Sequence, residues 1–211
     1  MTSRLLFLSS LVALVAWPAR AQTGTCPVVS SISVQPGFDY ESFANESRWN
    51  VVLYSKIIPI EGLDMQVVKS DVSLMFSRDA DNNKTVTLAG RVRLASSFAF
   101  CLKLQGSVED SSEVPAKLRQ SFYNPLTNQF LDFNFWILHT DYTNLAVVYA
   151  CEKIMAADGT CDPGSSYMWT LSRGTSHTAA EKERIQEIFQ SMCLDMTSLR
   201  QIEHSDVCPM T

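Results

Sequence analysis

The sequence predicts an all-β domain, an antiparallel barrel or sandwich of about eight short strands followed by one amphipathic helix. Three observations carry this. Thr85 to Leu94 alternates cleanly, with Val86, Leu88, Gly90, Val92 and Leu94 on one face and Thr85, Thr87, Arg91 and Arg93 on the other, the period of a half-buried strand. The runs Phe133 to Leu138 and Leu145 to Cys151 flank the polar tetrad Thr140-Asp141-Tyr142-Thr143, which reads as a tight turn between antiparallel strands. After the strand region, Thr178 to Glu181 has capping-box form and precedes Ile185, Ile188, Phe189 and Met192, the i, i+3, i+4, i+7 spacing of a helix with one apolar stripe.

In chain order, Arg4, the apolar run from Leu5 to about Trp17 and the small-residue pattern Ala19-Arg20-Ala21 have the form of an export signal cut after Ala21. The run is shorter than the ~20 apolar residues of a bilayer span. The expected organisation is therefore a signal peptide at 1–21 and one domain at 22–211, secreted and extracellular. Cleavage removes Arg4 and Arg20 and no acid, so Lys and Arg fall from 17 to 15 against 22 Asp and Glu. This acidic balance argues against nucleic acid as a partner.

Six cysteines, Cys26, Cys101, Cys151, Cys161, Cys193 and Cys208, follow the export signal, and an even count in an oxidising compartment points to three disulfides. No Cys-x2-Cys pair is present, and His139, His177 and His204 lie far apart, so no metal site is expected and the histidines read as surface or turn residues.

Phe38 to Phe43 reads as a single helical turn and Trp49 to Tyr54 as the first strand. Asn45-Glu46-Ser47 and Asn83-Lys84-Thr85 are N-glycosylation sequons placed in turns. Looser alternation recurs in Val68 to Phe76, Phe100 to Val108 and Lys117 to Tyr123. Beyond Cys151, Asp158-Gly159 marks a turn before the strand pattern resumes at Ser166 to Trp169, which puts Cys151 and Cys161 near the neck of a hairpin. The helix stripe should pack on the outside of the sheet, leaving Lys182, Arg184 and Glu187 in solvent.

Several residues together resemble the lipocalin family, and within it the plasma retinol-binding proteins. They are Thr140-Asp141-Tyr142, Arg173 just before the helix, Gly90-Arg91-Val92-Arg93-Leu94 leading to Cys101, Pro115-Ala116-Lys117, Asp158-Gly159-Thr160-Cys161, Cys193-Leu194 and Cys208. The similarity runs from near Cys26 to the end of the chain, and the number and order of cysteines match. Two stretches depart from the family pattern. Ser47 stands where lipocalins carry the glycine of Gly-x-Trp, in an interval from Phe43 to Trp49 about two residues longer than usual, and the entrance segment Lys56 to Val67 diverges.

The resemblance implies an eight-stranded antiparallel up-and-down β-barrel with one C-terminal α-helix packed outside. It also implies the pairs Cys26–Cys193, Cys101–Cys208 and Cys151–Cys161, and Arg173 stacked on Trp49 at the closed end. With strand parity it places Val86, Leu88, Leu104, Gln120, Phe122, Phe135, Val148, Tyr167 and Trp169 inside as ligand-binding positions. Gln120 and Tyr167 are the groups able to orient a hydroxyl or carbonyl end. The implied function is a secreted carrier of retinol or a related retinoid, without cofactor. A bilin, carotenoid, fatty acid or sterol would suit the same lining.

Two further functional classes have to be set against this one. Prostaglandin synthases within the family use a free thiol in the barrel, but here all six cysteines match structural partners and no Ser-His-Asp set is recognisable, so no enzyme activity is expected. An interaction protein is the other: loops at the open end of retinol-binding proteins contact transthyretin, and the corresponding loops here carry Leu94, Phe98, Leu126, Phe130 and Leu131, apolar tips of the kind that mark protein contacts.

Overall fold

The computed structural model describes residues 26–45, 47–56, 68–94, 98–111, 114–124, 128–194 and 196–210. The expected signal peptide, nearly all of the divergent entrance segment and Leu126 lie outside these residues.

A helical turn, α1 (Tyr40–Ala44), leads into eight strands: β1 (Arg48–Tyr54), β2 (Val68–Arg78), β3 (Lys84–Leu94), β4 (Phe98–Asp110), β5 (Lys117–Asn124), β6 (Gln129–Thr140), β7 (Leu145–Cys151) and β8 (Ser166–Ser172). Helix α2 (Ala179–Ser191) and a two-residue strand β9 (Arg200–Gln201) follow. Consecutive strands pair antiparallel, and β1 pairs with both β8 and β2, so the sheet closes into a barrel with β9 added on β1. Among the described residues each of the eight strands is paired on both sides over at least part of its length, and such closure is how sheets avoid edge-to-edge association.

β6 extends four residues before the apolar run that announced it, because Gln129 to Asp132 are largely exposed in the hairpin with β5 and carry no burial alternation. Register shifts at Val51/Leu53, Ser70/Ser73 and Ile137/His139 mark bulges, which bend strands around a small barrel. β9 has no counterpart in the sequence reading, since two residues are too short for a periodic signal.

The expected capping box is present. Thr178 accepts from the Glu181 N–H while Glu181 accepts from the Thr178 N–H at 2.7 Å, satisfying two of the donors a helix start leaves free. Ile185 and Phe189 of α2 are fully buried against the outer side chains of Leu138, Leu145, Val147, Tyr149 and Met168. β7 is therefore buried on both faces, barrel interior on one side and helix on the other. At ~1.5–3 kcal/mol per fully buried large apolar side chain, Ile185 and Phe189 alone contribute several kcal/mol to docking the helix. Cys26–Cys193 fastens the helix end to the N-terminal segment, Cys101–Cys208 fastens the tail to β4, and Cys151–Cys161 clamps the loop after β7.

His177 corrects the reading of the histidines as surface residues. Its Nε2 lies 2.7 Å from the Thr170 hydroxyl and its side chain is wholly enclosed, because it precedes the helix cap and is trapped between α2 and β8.

Candidate ligand cavity

The closed end is built from α1, the start of β1 and the end of β8. Arg173 lies 3.6 Å over the Trp49 ring, and its guanidinium donates to the Ser47 carbonyl at 2.7 Å and the Phe43 carbonyl at 2.9 Å. Trp49 Nε1 donates to the same Phe43 carbonyl at 2.9 Å. Burial pulls the Arg173 pKa down to about 10, with Asp141 opposing the shift, so it stays charged at neutral pH. The left-handed residue that the missing glycine would supply is Asn45, φ 36°. Asn tolerates that region better than most side chains, so the turn closes two residues before Ser47.

Thr140, Asp141 and Tyr142 sit at the same end. The Asp141 carboxylate accepts from the N–H groups of Thr143, Asn144 and Leu145 at 2.7–2.9 Å. Burial pushes its pKa up, but these donors outweigh it and hold it below the usual carboxylate range. Tyr142 takes φ 63° and its hydroxyl accepts from the Asp39 N–H, tying the turn to α1.

Above this end the interior is layered. Phe43, Trp49, Phe76, Val86, Leu118, Ile137 and Leu171 are fully or almost fully buried and fill the floor. The next interior position on each strand borders a cavity of about 130 Å³. That is close to the ~150 Å³ of an apolar cavity that admits one benzene-sized molecule. Leu74 of β2, Leu88 of β3, Leu104 of β4, Gln120 and Phe122 of β5, Phe133 and Phe135 of β6 and Trp169 of β8 form the wall. Stacked or tilted rings line one side: Phe122–Phe133 at 5.7 Å, Phe133–Trp169 at 6.1 Å and Phe135–Trp169 at 6.3 Å.

Of the sequence-predicted ligand positions, Leu88, Leu104, Gln120, Phe122, Phe135 and Trp169 border the cavity. Val86 and Val148 belong to the packed core beneath or beside it. Tyr167 stacks on Trp169 at 6.1 Å and packs against the core, but does not itself border the cavity. Gln120 is fully buried, and neither its Oε1 nor its Nε2 has a hydrogen-bond partner.

Sequence reasoning missed Ile202. β1 pairs with β2 only over Arg48 to Asn50; beyond that the seam is filled by the tail, with Leu53 and Tyr54 paired to Gln201 and Arg200. The Ile202 N–H donates to the Val52 carbonyl and the Asp71 N–H to the Glu203 carbonyl, and Ile202 borders the cavity. The available signal was Asp71, an acid inside the β2 pattern. It is buried at φ 56° and accepts from Ser70, Arg91, Ser205 and Asp206.

At the open end Phe130 is 67% exposed and packs on Tyr123, 43% exposed, with ring centroids 5.5 Å apart. Leu131 is half-buried and borders the cavity. Leu94 and Phe98 are opposite one another in the β3–β4 register; their side chains lie outside the described residues, as does Leu126. Among the described residues no group of three or more His, Cys, Asp or Glu is placed to hold a metal, and no helix is long and apolar enough to cross a membrane.

No protein-family model matches the sequence. Individual relatives do. Retinol-binding protein 4 of Mus musculus is 31% identical over 184 residues, 85% of this chain and 84% of the relative, and purpurin of Gallus gallus is 32% identical over 168 residues, 78% of each. Among solved structures, insecticyanin of Manduca sexta superposes with a TM-score of 0.59 at 17% identity over 87% of this chain and 88% of that one. Lobster apocrustacyanin A1 superposes with 0.57 at 18% identity over 80% and 81%. A closed antiparallel barrel with an outer C-terminal helix and an enclosed apolar cavity defines a carrier fold. The chain belongs to the lipocalin family, among the retinol-binding proteins, and these relatives are transport proteins rather than enzymes.

Proposed function

We propose that the protein is a secreted carrier that holds retinol or a closely related retinoid in the barrel cavity. The observation that carries this is the cavity wall itself, apolar and aromatic from Leu88 across Phe122 and Phe133 to Trp169, in a chain whose relatives are retinol-binding proteins. A twenty-carbon isoprenoid, at ~0.8 kcal/mol per buried CH2, gains on the order of 15 kcal/mol before ordering costs of several kcal/mol, enough for micromolar or tighter binding without an ion pair. Such a ligand is much larger than the one benzene-sized molecule that a cavity of about 130 Å³ admits. Binding it therefore requires Phe133 or Trp169 to turn, or its outer end to project between the mouth loops. Export through removal of residues 1–21 fits the three disulfides, and Asn45 and Asn83 are exposed at the surface as glycan acceptors must be.

The test is titration of the folded, delipidated protein with retinol, read by quenching of Trp169 fluorescence. Saturation at one ligand per chain supports the reading, and Leu88→Arg or Leu104→Arg should abolish it by bringing an unpaired charge into the cavity. Absence of saturable binding of any retinoid, carotenoid or fatty acid up to roughly 100 μM, about 5.5 kcal/mol, would remove it. A second reading, contact with a larger protein at the open end, is favoured by the exposed Phe130–Tyr123 pair. Co-purification from the native fluid decides it, and a barrel that travels alone counts against it.

A further inference from the structure

We infer that a glycan on Asn83 lies in a depression on the outer face of the barrel, with its first sugars stacked on the rings of Tyr123 and Phe130. The inference rests on the reading of Asn83 as a glycan acceptor and goes beyond it by giving the sugar a seat.

The depression comes from side-chain size. Outward positions of three neighbouring strands set small hydroxyl-bearing residues side by side: Thr85 of β3 pairs with Ser107 of β4, and Ser107 with Ser121 of β5. Larger side chains on the same face stand around that row, because alternate strand residues share a face. Gln105 and Glu109 flank Ser107, and Tyr123 follows Ser121 with Phe130 opposite it in the β5–β6 register. These residues border one open depression of about 510 Å³, and so does Asn83 at the turn leading into β3. Sites for ligands of drug size occupy ~300–1,000 Å³, a class that includes a disaccharide.

The lining suits a sugar. A pyranose ring presents a face of C–H groups and a rim of hydroxyls, so it calls for an aromatic face beside hydrogen-bonding groups. Exposed Tyr123 and Phe130 supply the face, with ring centroids 5.5 Å apart, and the Tyr123 hydroxyl donates to Asn128 Oδ1 at 2.7 Å, which steadies its ring. Ser107, Ser121, Gln105 and Glu109 supply hydroxyl, amide and carboxylate groups for the rim.

Asn83 is aimed by its own turn. Its backbone N–H and its side-chain amide both donate to the Asp79 carboxylate, at 2.8 and 3.0 Å. Glycosylation joins Asn83 Nδ2 to C1 of an N-acetylglucosamine and breaks the bond from that carbon to the diphosphate of a lipid-linked oligosaccharide donor. The diphosphate leaves with the electron pair, and the amide nitrogen gives up one of its two protons. The N–H that remains is the one needed for Asp79. Tethering makes the contact with Tyr123 and Phe130 intramolecular, so a seat too weak to capture a free sugar is still filled.

The test uses the full chain secreted by a eukaryotic host, as wild type, Asn83→Gln, Phe130→Ser and the double variant. Peptide mass mapping shows the glycan and near-UV circular dichroism checks folding; Phe130 is exposed, so its loss leaves the core intact. Each protein is treated with tetranitromethane, and nitration of Tyr123 is followed by mass. We expect Tyr123 to react roughly fivefold more slowly in glycosylated wild type than in Asn83→Gln, the occupancy that one stacked ring pair supports. In the Phe130→Ser background the glycan should stay attached while its effect on Tyr123 disappears. Equal rates in glycosylated wild type and Asn83→Gln overturn the inference, and so does protection that survives Phe130→Ser in full, since a chain merely swinging over the surface would give it. Both outcomes leave Asn83 a glycan acceptor, whereas secreted wild type with Asn83 unmodified removes that reading and this one together.

Discussion

Arg173 and Trp49 lock the closed end through one carbonyl: the guanidinium, stacked 3.6 Å over the indole, and the indole N–H both donate to the Phe43 oxygen. The stack and the two charge-assisted hydrogen bonds draw on the same planar group. Removing it leaves Ser47 without that donor and uncovers a fully buried indole. Arg173→Ala should cost about 2–4 kcal/mol, read as a lower urea midpoint with unchanged m. Arg173→Lys should cost less than the alanine but remain destabilising, because an ammonium cannot stack and reach two carbonyls in one plane. A lysine variant as stable as wild type would show that charge alone suffices.

His177 makes stability depend on pH. His177 Nε2 shares a hydrogen bond with the Thr170 hydroxyl, which also accepts from the Leu53 N–H, and Nδ1 faces Glu181 at 3.8 Å without a hydrogen bond. Burial lowers the His177 pKa, with Glu181 opposing, and burial also lowers that of His139. Because the folded values lie below the unfolded ~6.5, the unfolded chain takes up protons first as pH falls. Stability should thus be flat above neutrality and decline below about pH 6.5. His177→Gln should shallow that decline in thermal melts run between pH 7.5 and 5, and an unchanged slope would assign it to other groups.

The disulfides should differ in weight. In the chain-entropy model the ten-residue separation of Cys151–Cys161 corresponds to roughly 2.7 kcal/mol and the 107-residue separation of Cys101–Cys208 to roughly 4.7 kcal/mol. Paired serine substitutions compared by urea unfolding should therefore rank the tail disulfide as the more costly loss. The reverse order would mean that Asp71 holds the tail without it.

What was legible in the sequence follows from how each feature is encoded. The barrel was readable because strand alternation is local, as in β3, and because α2 announces itself through Thr178, Glu181 and its apolar stripe. The depth of the cavity was less so: parity places Val86 and Leu88 on one face alike, and only the packing of Phe76 and Phe43 shows that the first is floor and the second wall. Features that depend on contact between distant segments were not readable. His177 is polar by type and buried by α2, and Ile202 enters the cavity wall 148 residues after β1 ends at Tyr54, with no periodicity to mark it.

That tail yields the last prediction. Between Val51 and Tyr54 the barrel seam is held by the segment from Arg200 to Glu203 rather than by β2. Asp71 anchors it from β2: its carboxylate accepts from the N–H groups of Ser205 and Asp206 at 2.7 and 3.0 Å and bridges to Arg91, which also meets Asp206. Burial pushes the Asp71 pKa up, but its donors from Asp206, Ser70, Ser205 and Arg91 together hold it below the usual range. Asp71→Ala removes the acceptor from two backbone amides, the Ser70 hydroxyl and a guanidinium at once, and should cost about 2–4 kcal/mol. The Cys101–Cys208 bond keeps the tail tethered in this variant, so the loss should be local. The amides of Ile202 and Asp71 should lose hydrogen-exchange protection while those of β6 and β7 keep theirs, and because Ile202 is part of the cavity wall, any bound apolar ligand should leave faster. Uniform loss of protection across the barrel would show instead that the tail is part of the global folding unit, and unchanged protection at Ile202 would show that β9 pairing alone closes the seam.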